Sequence, residues 1–560
     1  MPRKRFFWIG VLVFGSVSCV SQEQKEAEAN FTVIRKQYLE RYRPLSMEVG
    51  IAWWDAATSG ADEAYERRKV AEARLADLHG NRQVFAGIRA LKNSGAVRDE
   101  RLARELLVMY HSFLSRQADP ALNKKIIALE ADLDQIFNTH RSKVGDKTLT
   151  ENDVRKILKE TPETELARQA WTGYMEVGRK VEQKLRELVK LRNQVARKLG
   201  YENYFSMRLE MQEFDEAKLF ELFDELDQLT SGPFTRLKKE VDRRATERFG
   251  LTAEQLRPWH TSDLFFQEAP DLSEVDLDAM YSSKDPVELS RIHYESMGLE
   301  VADIISRSDL YEREGKSPHA FCTSIDRDQD IRVLCNVKPN AQWMDTMHHE
   351  LGHGVYDQYI GAEVPFILHG PSHILSTEGV AMLFGSLTKN REFLEKVVKV
   401  SGEDLPRYAE AAREALRAEK LIFSRWAQVM LRFERGMYRD PDQDLNELWW
   451  DLKKRYQQLN PPDDLSGADY GAKIHVVVAP VYYHNYMLGD LFASQVHHYT
   501  AALIGVDDPH TTCFYGNKVA AQYLQREVFE PGNLYDWRTL TRRATGEELT
   551  AKYYAELYVD

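Results

Sequence analysis

Cysteine, positive charge, long apolar runs and β-patterned segments are all scarce in this sequence, and each scarcity narrows what the chain can do. Four cysteines occur in 560 residues. One of them, Cys19, falls in an N-terminal leader, so Cys322, Cys335 and Cys513 leave room for one internal disulfide at most. Lys and Arg total 75 against 88 Asp and Glu, a net charge of −13. That balance argues against nucleic acid as a partner, because its binders carry a basic face. Beyond the leader no stretch reaches the roughly 18 uninterrupted apolar residues of a membrane-spanning helix. No Gly-rich phosphate loop and no convincing nucleophilic Ser or Cys is present, and there is no internal repeat, low-complexity tract or Gly/Ser linker. What remains is 43% hydrophobic and 29% charged, enough for a sizeable core beneath a soluble surface.

The leader is the first thing that is there. Arg3, Lys4 and Arg5 precede an apolar run from Phe6 to about Val17, followed by Ser18-Cys19. A basic start and a short apolar stretch read as a secretion signal over residues 1–19, too short to span a bilayer comfortably. Val17-Ser18-Cys19 resembles a bacterial lipoprotein cleavage site, although Ser16 stands where Leu is usual. The expectation is an exported bacterial protein at the periplasmic side or cell surface, held to the membrane only by a lipid on Cys19. Plain cleavage without a lipid is the alternative.

Helical periodicity dominates the rest. In "DEAKLFELFDELDQL", Leu219, Leu222, Phe223, Leu226 and Leu229 fall at three- and four-residue steps with acids opposite. The pattern returns from Val181 to Leu199 and stops at Gly200, a helix-ending signal. Similar stripes run over Phe31–Tyr42, Ala61–Leu78, Asn123–Ile136, Leu405–Met437 and Val519–Phe529. "SGPF" (231–234) and "NPP" (460–462) read as turns between helices. The β signal is confined to 319–337, where "FCTSIDRDQDIRVLC" reads as a hairpin around a polar turn. Cys322 and Cys335 lie roughly equidistant from that turn, so a disulfide in an exported protein and two free thiols are both open. The edge of the hairpin can serve an extended peptide or be purely structural. The fold expected is mainly α, with a small β-hairpin element.

The most specific pattern is His349-Glu350-Leu351-Gly352-His353. At 3.6 residues per turn the two histidines share one helix face, so both imidazoles can reach one ion. Glu350 lies about 100° round, placed to hold the metal's water without binding the metal. Asn340 can cap such a helix, and Met344, Met347, Leu351 and Val355 mark its apolar side. "HILSTEGVAMLFG" supplies Glu378, an acid heading an apolar helical run and in need of a partner; interaction with the helix dipole is its bland alternative. His348 points elsewhere, and Asp345 either supports a ligand imidazole or is a solvated first-turn acid. Farther on, in "GADYGAKIHVVVAPVYYHNYMLGDLFASQ", Lys473 and His475 alternate as on an extended stretch, and Tyr483 and Tyr486 sit three apart on one helix face. Phenols and imidazoles are donors suited to an oxyanion; otherwise they are packing with a wet tip.

These residues resemble the angiotensin-converting enzyme family of zinc peptidases. "HHELGH" is similar to its zinc helix, and Glu378 to its downstream ligand. "WWDLKKRYQQLNPP" with "GAKIH", His319-Ala320, Cys335 before the motif helix, and the C-terminal 519–557 fit as well. The Tyr-rich segment after a His also leans toward the related thimet and oligoendopeptidase F oligopeptidases. The resemblance implies one Zn2+ held by His349, His353 and Glu378, with Glu350 as general base and then acid. It implies His475 and Tyr486 at the oxyanion, Lys473 and Tyr483 at the substrate's terminal carboxylate, and His319 and Ala320 along the peptide. It also implies a helical ellipsoid, residues 20–560 as one domain of two lobes, split by a deep cleft that admits short peptides to a monomeric enzyme. Departures are visible. Met382 stands where the family has an acid one turn after the third ligand. Asn485 replaces a chloride-linked Arg and Lys453 another, so chloride activation is not expected. Thr261 takes the place of a Gln in the carboxylate clamp, and Tyr482 competes with Tyr483 for its role.

Three functions compete. A peptidyl-dipeptidase releasing C-terminal dipeptides needs Lys473 for a free carboxylate. An oligoendopeptidase cutting inside short peptides is indifferent to it. A lipid-anchored peptide-binding protein with a dead metal site has no use for Glu350.

Overall fold

The computed structural model describes residues 21–559; the expected leader and the lipid site at Cys19 lie outside the described residues. The described chain is 68% helical with two small antiparallel hairpins, which bears out the mainly-α expectation. No helix among the described residues is long and apolar enough to cross a membrane.

Helices form where apolar periodicity and capping agree. Thr164–Lys198 buries Val181, Leu185, Leu188 and Val189, the stripe read from the sequence. Gln22–Ser59 starts at Ser21, whose side chain accepts from Gln24 N, and stops at Gly60 in the left-handed conformation. One expectation is corrected: "SGPF" is not a turn, because Glu216–Phe249 is a single helix with Pro233 inside it. Its apolar stripe continues through Phe234, Val241 and Ala245, and packing on that face outweighs the one backbone donor a proline removes. "NPP", by contrast, is irregular.

The predicted hairpin is present as Phe321–Ser324 against Ile331–Leu334. A second one, Ser142–Val144 against Lys147–Leu149, departs from the expectation that β structure is confined to 319–337; arms of three residues are too short to show a period. In the first hairpin Cys322 faces Val333. Cys335 is therefore the diagonal neighbour of Cys322, and such residues stand about 7–8 Å apart, beyond disulfide reach. Both are free thiols, as is Cys513.

Three helices frame the site. The motif helix Ala341–Gln358 is capped by Asn340, whose side chain accepts from Trp343 N at 2.8 Å, as expected. It packs on Ile374–Leu387, which in turn packs on His484–Leu503. Glycine permits the close approach: a Cβ added at Gly352 would stand 2.8 Å from Ala381 Cα, and one at Gly379 2.8 Å from the Gly489 carbonyl oxygen. The Lys473–His475 stretch is only partly extended, a second correction: Lys473 has extended backbone (φ −85°, ψ 103°), but the helix begins at Ile474 and contains His475. A short 3-10 turn, Asp469–Ala472, leads into the helix Ile474–Val478. Most buried apolar residues join into one core running from Ala27 to Tyr558, with smaller clusters around Phe234 and around Trp54.

Candidate metal centre and cleft

His349 and His353 project from successive turns of the motif helix, and Glu378 from the second turn of the neighbouring one. Their ligand atoms lie within 4.8 Å of one another. Glu378 Oε2 is 3.8 Å from His349 Nε2 and 3.9 Å from His353 Nε2. Tetrahedral ligands bonded at about 2.0–2.1 Å stand about 3.3 Å apart, so Glu378 has to close on each ring by about half an ångström for the trio to share one ion. The protonation chemistry fits as well. Burial pushes His349 down to about 4, with Lys420 adding to the effect, and holds His353 far below its ordinary value. Both rings are therefore neutral donors at ordinary pH. His353 Nδ1 shares a 2.7 Å hydrogen bond with Thr377 Oγ1, which leaves Nε2 facing Glu378 and fixes the ring as metal-site partners do.

Glu350 is 7% exposed. Burial and the nearby Glu378 raise its carboxyl to about 8, against a hydrogen bond from the Cys322 backbone. Burial and Asp490 raise Glu378 to about 7. Two buried carboxyl groups so close together, neither in an ion pair with Lys or Arg among the described residues, are an environment that a divalent cation relieves.

The surroundings sort the remaining candidates. His348 faces away, bonded to His293 at 2.8 Å and Ser290 at 3.0 Å, as helix geometry predicts. Asp345 pairs with Lys389 at 2.6 Å, a structural ion pair. Met382 is indeed apolar where a supporting acid was sought. Asp490 on the third helix, 3% exposed, takes Lys420 at 2.6 Å and adds a like charge near Glu378. Neither Thr377 nor the Lys420–Asp490 pair was singled out in the sequence, since helix–helix contacts alone bring them together.

A cavity of about 1160 Å³ runs past Met382, Tyr486, His475, Tyr483 and Lys473. His475 and Tyr483 are edge to face with ring centroids 5.2 Å apart, and Tyr483 and Tyr486 follow at 5.3 Å. Burial and then Lys473 lower His475 to about 4. Burial lowers Lys473 to about 8, with Asp263 opposing. The two adjacent tyrosines divide the space. Tyr483 lies 5.5 Å under the Lys473 ammonium. Tyr482 meets Tyr486 edge to face at 5.4 Å, and Glu378 adds to the upward push of burial on both of those phenols. At the place of the family's clamp Gln, the Thr261 hydroxyl donates to the Pro258 and Asp263 carbonyls, while Lys473 donates to Gln267 Oε1 at 2.5 Å. Gln267 stands six positions on in an irregular loop, where sequence spacing carries no signal. His319 is exposed and Ala320 half-buried, both leading into the strand whose Cys322 touches Glu350.

Comparison with known proteins gives the family. The family described as Peptidase family M3 matches residues 157–556, and that described as Angiotensin-converting enzyme matches residues 23–239. The angiotensin-converting enzyme of Theromyzon tessulatum is 22% identical over 475 residues, covering 78% of this chain and 76% of that protein. Angiotensin-converting enzyme-like protein Ace3 of Mus musculus is 23% identical over 514 residues, covering 83% and 65%. The angiotensin-converting enzyme-related protein of Drosophila melanogaster is 22% identical over 244 residues, covering 41% and 38%. The first match spans well over half of the chain and contains every residue from His349 to Tyr486, so the protein belongs to peptidase family M3 and is a metallopeptidase with an angiotensin-converting-enzyme-like N-terminal part.

Proposed function

We propose that the protein hydrolyses short peptides with one zinc ion and releases dipeptides from their C-termini. One observation carries this reading: the cavity that reaches Tyr486 beside Glu378 also holds the ammonium of Lys473 with Tyr483 over it. His349, His353 and Glu378 hold the ion, which when bound is a Lewis acid for water and for the scissile carbonyl. Next to a divalent cation Glu350 is held as its carboxylate; it takes the proton of the attacking water and returns it to the leaving amine. Neutral His475 and the Tyr486 phenol donate to the oxyanion that develops. Lys473 and Tyr483 receive the substrate's terminal carboxylate, a charge-assisted contact that sets the cleavage register. The strand Phe321–Ser324 is paired on one edge only among the described residues, so its free edge, with His319 and Ala320, lines an extended peptide.

The test is mass spectrometry of products from one peptide offered with a free and with an amidated C-terminus. Dipeptide release from the free acid, slowed at least tenfold by amidation, supports the reading; equal rates at internal bonds overturn it. Equal rates belong to the second reading, internal cleavage. That reading is favoured by Gln267, which already takes a hydrogen bond from Lys473, and by the M3 match over the site-bearing segment. No product from either peptide, or unchanged hydrolysis by Glu350→Gln, removes the catalytic scheme and leaves the peptide-binding alternative.

The same reading takes the enzyme as an exported monomer, anchored by a lipid on Cys19 and indifferent to chloride. The last point is supported by protein groups at the two positions concerned. Asn485 donates to Gln212 and to the Tyr482 carbonyl, and Lys453 to the Phe265 carbonyl and Gln457.

A further inference from the structure

Between His475 and the tyrosines the chain turns at Pro480-Val481. Val481 is fully buried and has φ of +55°, a left-handed conformation that a β-branched side chain resists. Such a conformation persists only where the surroundings over-determine it. Here both backbone groups of Val481 are taken by side chains from distant helices. Its N–H donates to Glu434 Oε1 at 2.7 Å. Its carbonyl accepts from Gln212 Nε2 at 2.9 Å. Gln212 Oε1 accepts in turn from Asn485 Nδ2 at 2.7 Å, and Asn485 Nδ2 donates to the Tyr482 carbonyl at 3.0 Å. Gln212 thus grips the chain on both sides of Tyr482 and Tyr483, one residue short of Tyr486. Glu434 is 2% exposed and in no ion pair among the described residues, and a carboxyl group is an expensive way to satisfy one buried N–H. Burial raises it to about 8, so around neutral pH a glutamine is its nearest equivalent in charge and shape.

We propose that Glu434 and Gln212 are positioning residues, which hold Val481 in its strained turn and thereby aim the phenol of Tyr486, with Tyr483 beside it, at the reacting carbonyl. This rests on the role given to Tyr486 above. Neither residue touches the cavity that takes the substrate; both act through the tyrosines.

The experiment is a double-mutant cycle on the zinc-loaded full-length enzyme, with kcat and KM for a free-acid peptide, zinc content, and circular dichroism for each variant. Glu434→Leu and Gln212→Ala each lower kcat about tenfold or more with KM changed less than about threefold, and zinc content stays native. Glu434→Gln, which keeps an acceptor for Val481 N–H, stays within about threefold of native kcat. In a Tyr486→Phe background the Glu434→Leu loss disappears, because the residue it positions is already gone. A folded, zinc-loaded Glu434→Leu with native kcat overturns the proposal, as does a loss that multiplies fully with Tyr486→Phe. If Glu434→Leu does not accumulate as folded protein, Gln212→Ala decides by the same criteria, its side chain being only half-buried. A Tyr486→Phe enzyme with native kcat removes the catalytic reading of that tyrosine first, and the positioning role with it, so the two failures are told apart by the single mutant alone.

Discussion

An ammonium that loses most of its hydration to burial and gains an amide oxygen and aromatic faces, but no carboxylate in contact, binds an arriving carboxylate strongly. Lys473 is such a group, 6% exposed and bonded to Gln267. A charge-assisted hydrogen bond is worth about 1.5–3 kcal/mol, so Lys473→Met is expected to raise KM for a free-acid peptide by about ten- to a hundredfold and to change kcat far less. The amidated peptide is the control and shifts little. The pH dependence has a definite sign. Burial lowers Lys473 to about 8; the ammonium is present below that pH and lost above it. kcat/KM for the free acid therefore falls as pH rises through about 8, reporting the free enzyme. Lys473→Met flattens that alkaline limb, and a limb of unchanged height in the variant assigns it to another group.

At the scale of elements, ligand geometry depends on how closely three helices approach, and glycine sets that distance. Gly352→Ala places a methyl group 2.8 Å from the backbone of the Glu378 helix. Overpacking of that kind costs about 1–3 kcal/mol. It also separates His353 from Glu378, so both the denaturation midpoint and the zinc content of the purified variant are expected to drop. A variant with native zinc content and midpoint refutes the close-packing argument. This contact also marks how far the sequence can be read. The His349–His353 pair, the Asn340 cap and the stripe of Thr164–Lys198 are local patterns with a period of 3.6, and they fold as the period dictates. Glu378 was legible because an acid in an apolar run lacks a partner. The helix through Pro233 was not, since turn chemistry and a continuing apolar face disagree there and tertiary packing prevailed. Gln267, Thr377 and the Lys420–Asp490 pair reach the site across helix–helix or loop contacts between distant residues, and no spacing rule foretells those. Lys473 and His475 both line the cavity, but by a helix that starts at Ile474 and not by the alternation of an extended stretch.

At the scale of the whole molecule, the proposed ligands tie the motif helix to its neighbour, and that neighbour packs on the helix carrying Tyr486 and Asp490. Without an ion, Glu350 and Glu378 are raised to about 8 and about 7 by burial and like charge, a strain built into the folded state alone. The unfolded chain neither gathers three ligands nor buries two carboxyls together, so an ion binds the native state preferentially and stabilises it by mass action. At free zinc a hundredfold above its dissociation constant the gain is about 2.7 kcal/mol, and about 4.1 at a thousandfold. Chelation is therefore expected to lower the thermal or urea midpoint, and zinc to restore it with a dependence on concentration. Glu378→Gln removes one ligand and one of the crowded carboxyls at once. Its ion-free form is expected to be at least as stable as the ion-free native protein, while added zinc raises its midpoint much less. Equal responses to zinc in both proteins would mean that the stabilising ion sits elsewhere, and would detach the helix packing described here from metal binding.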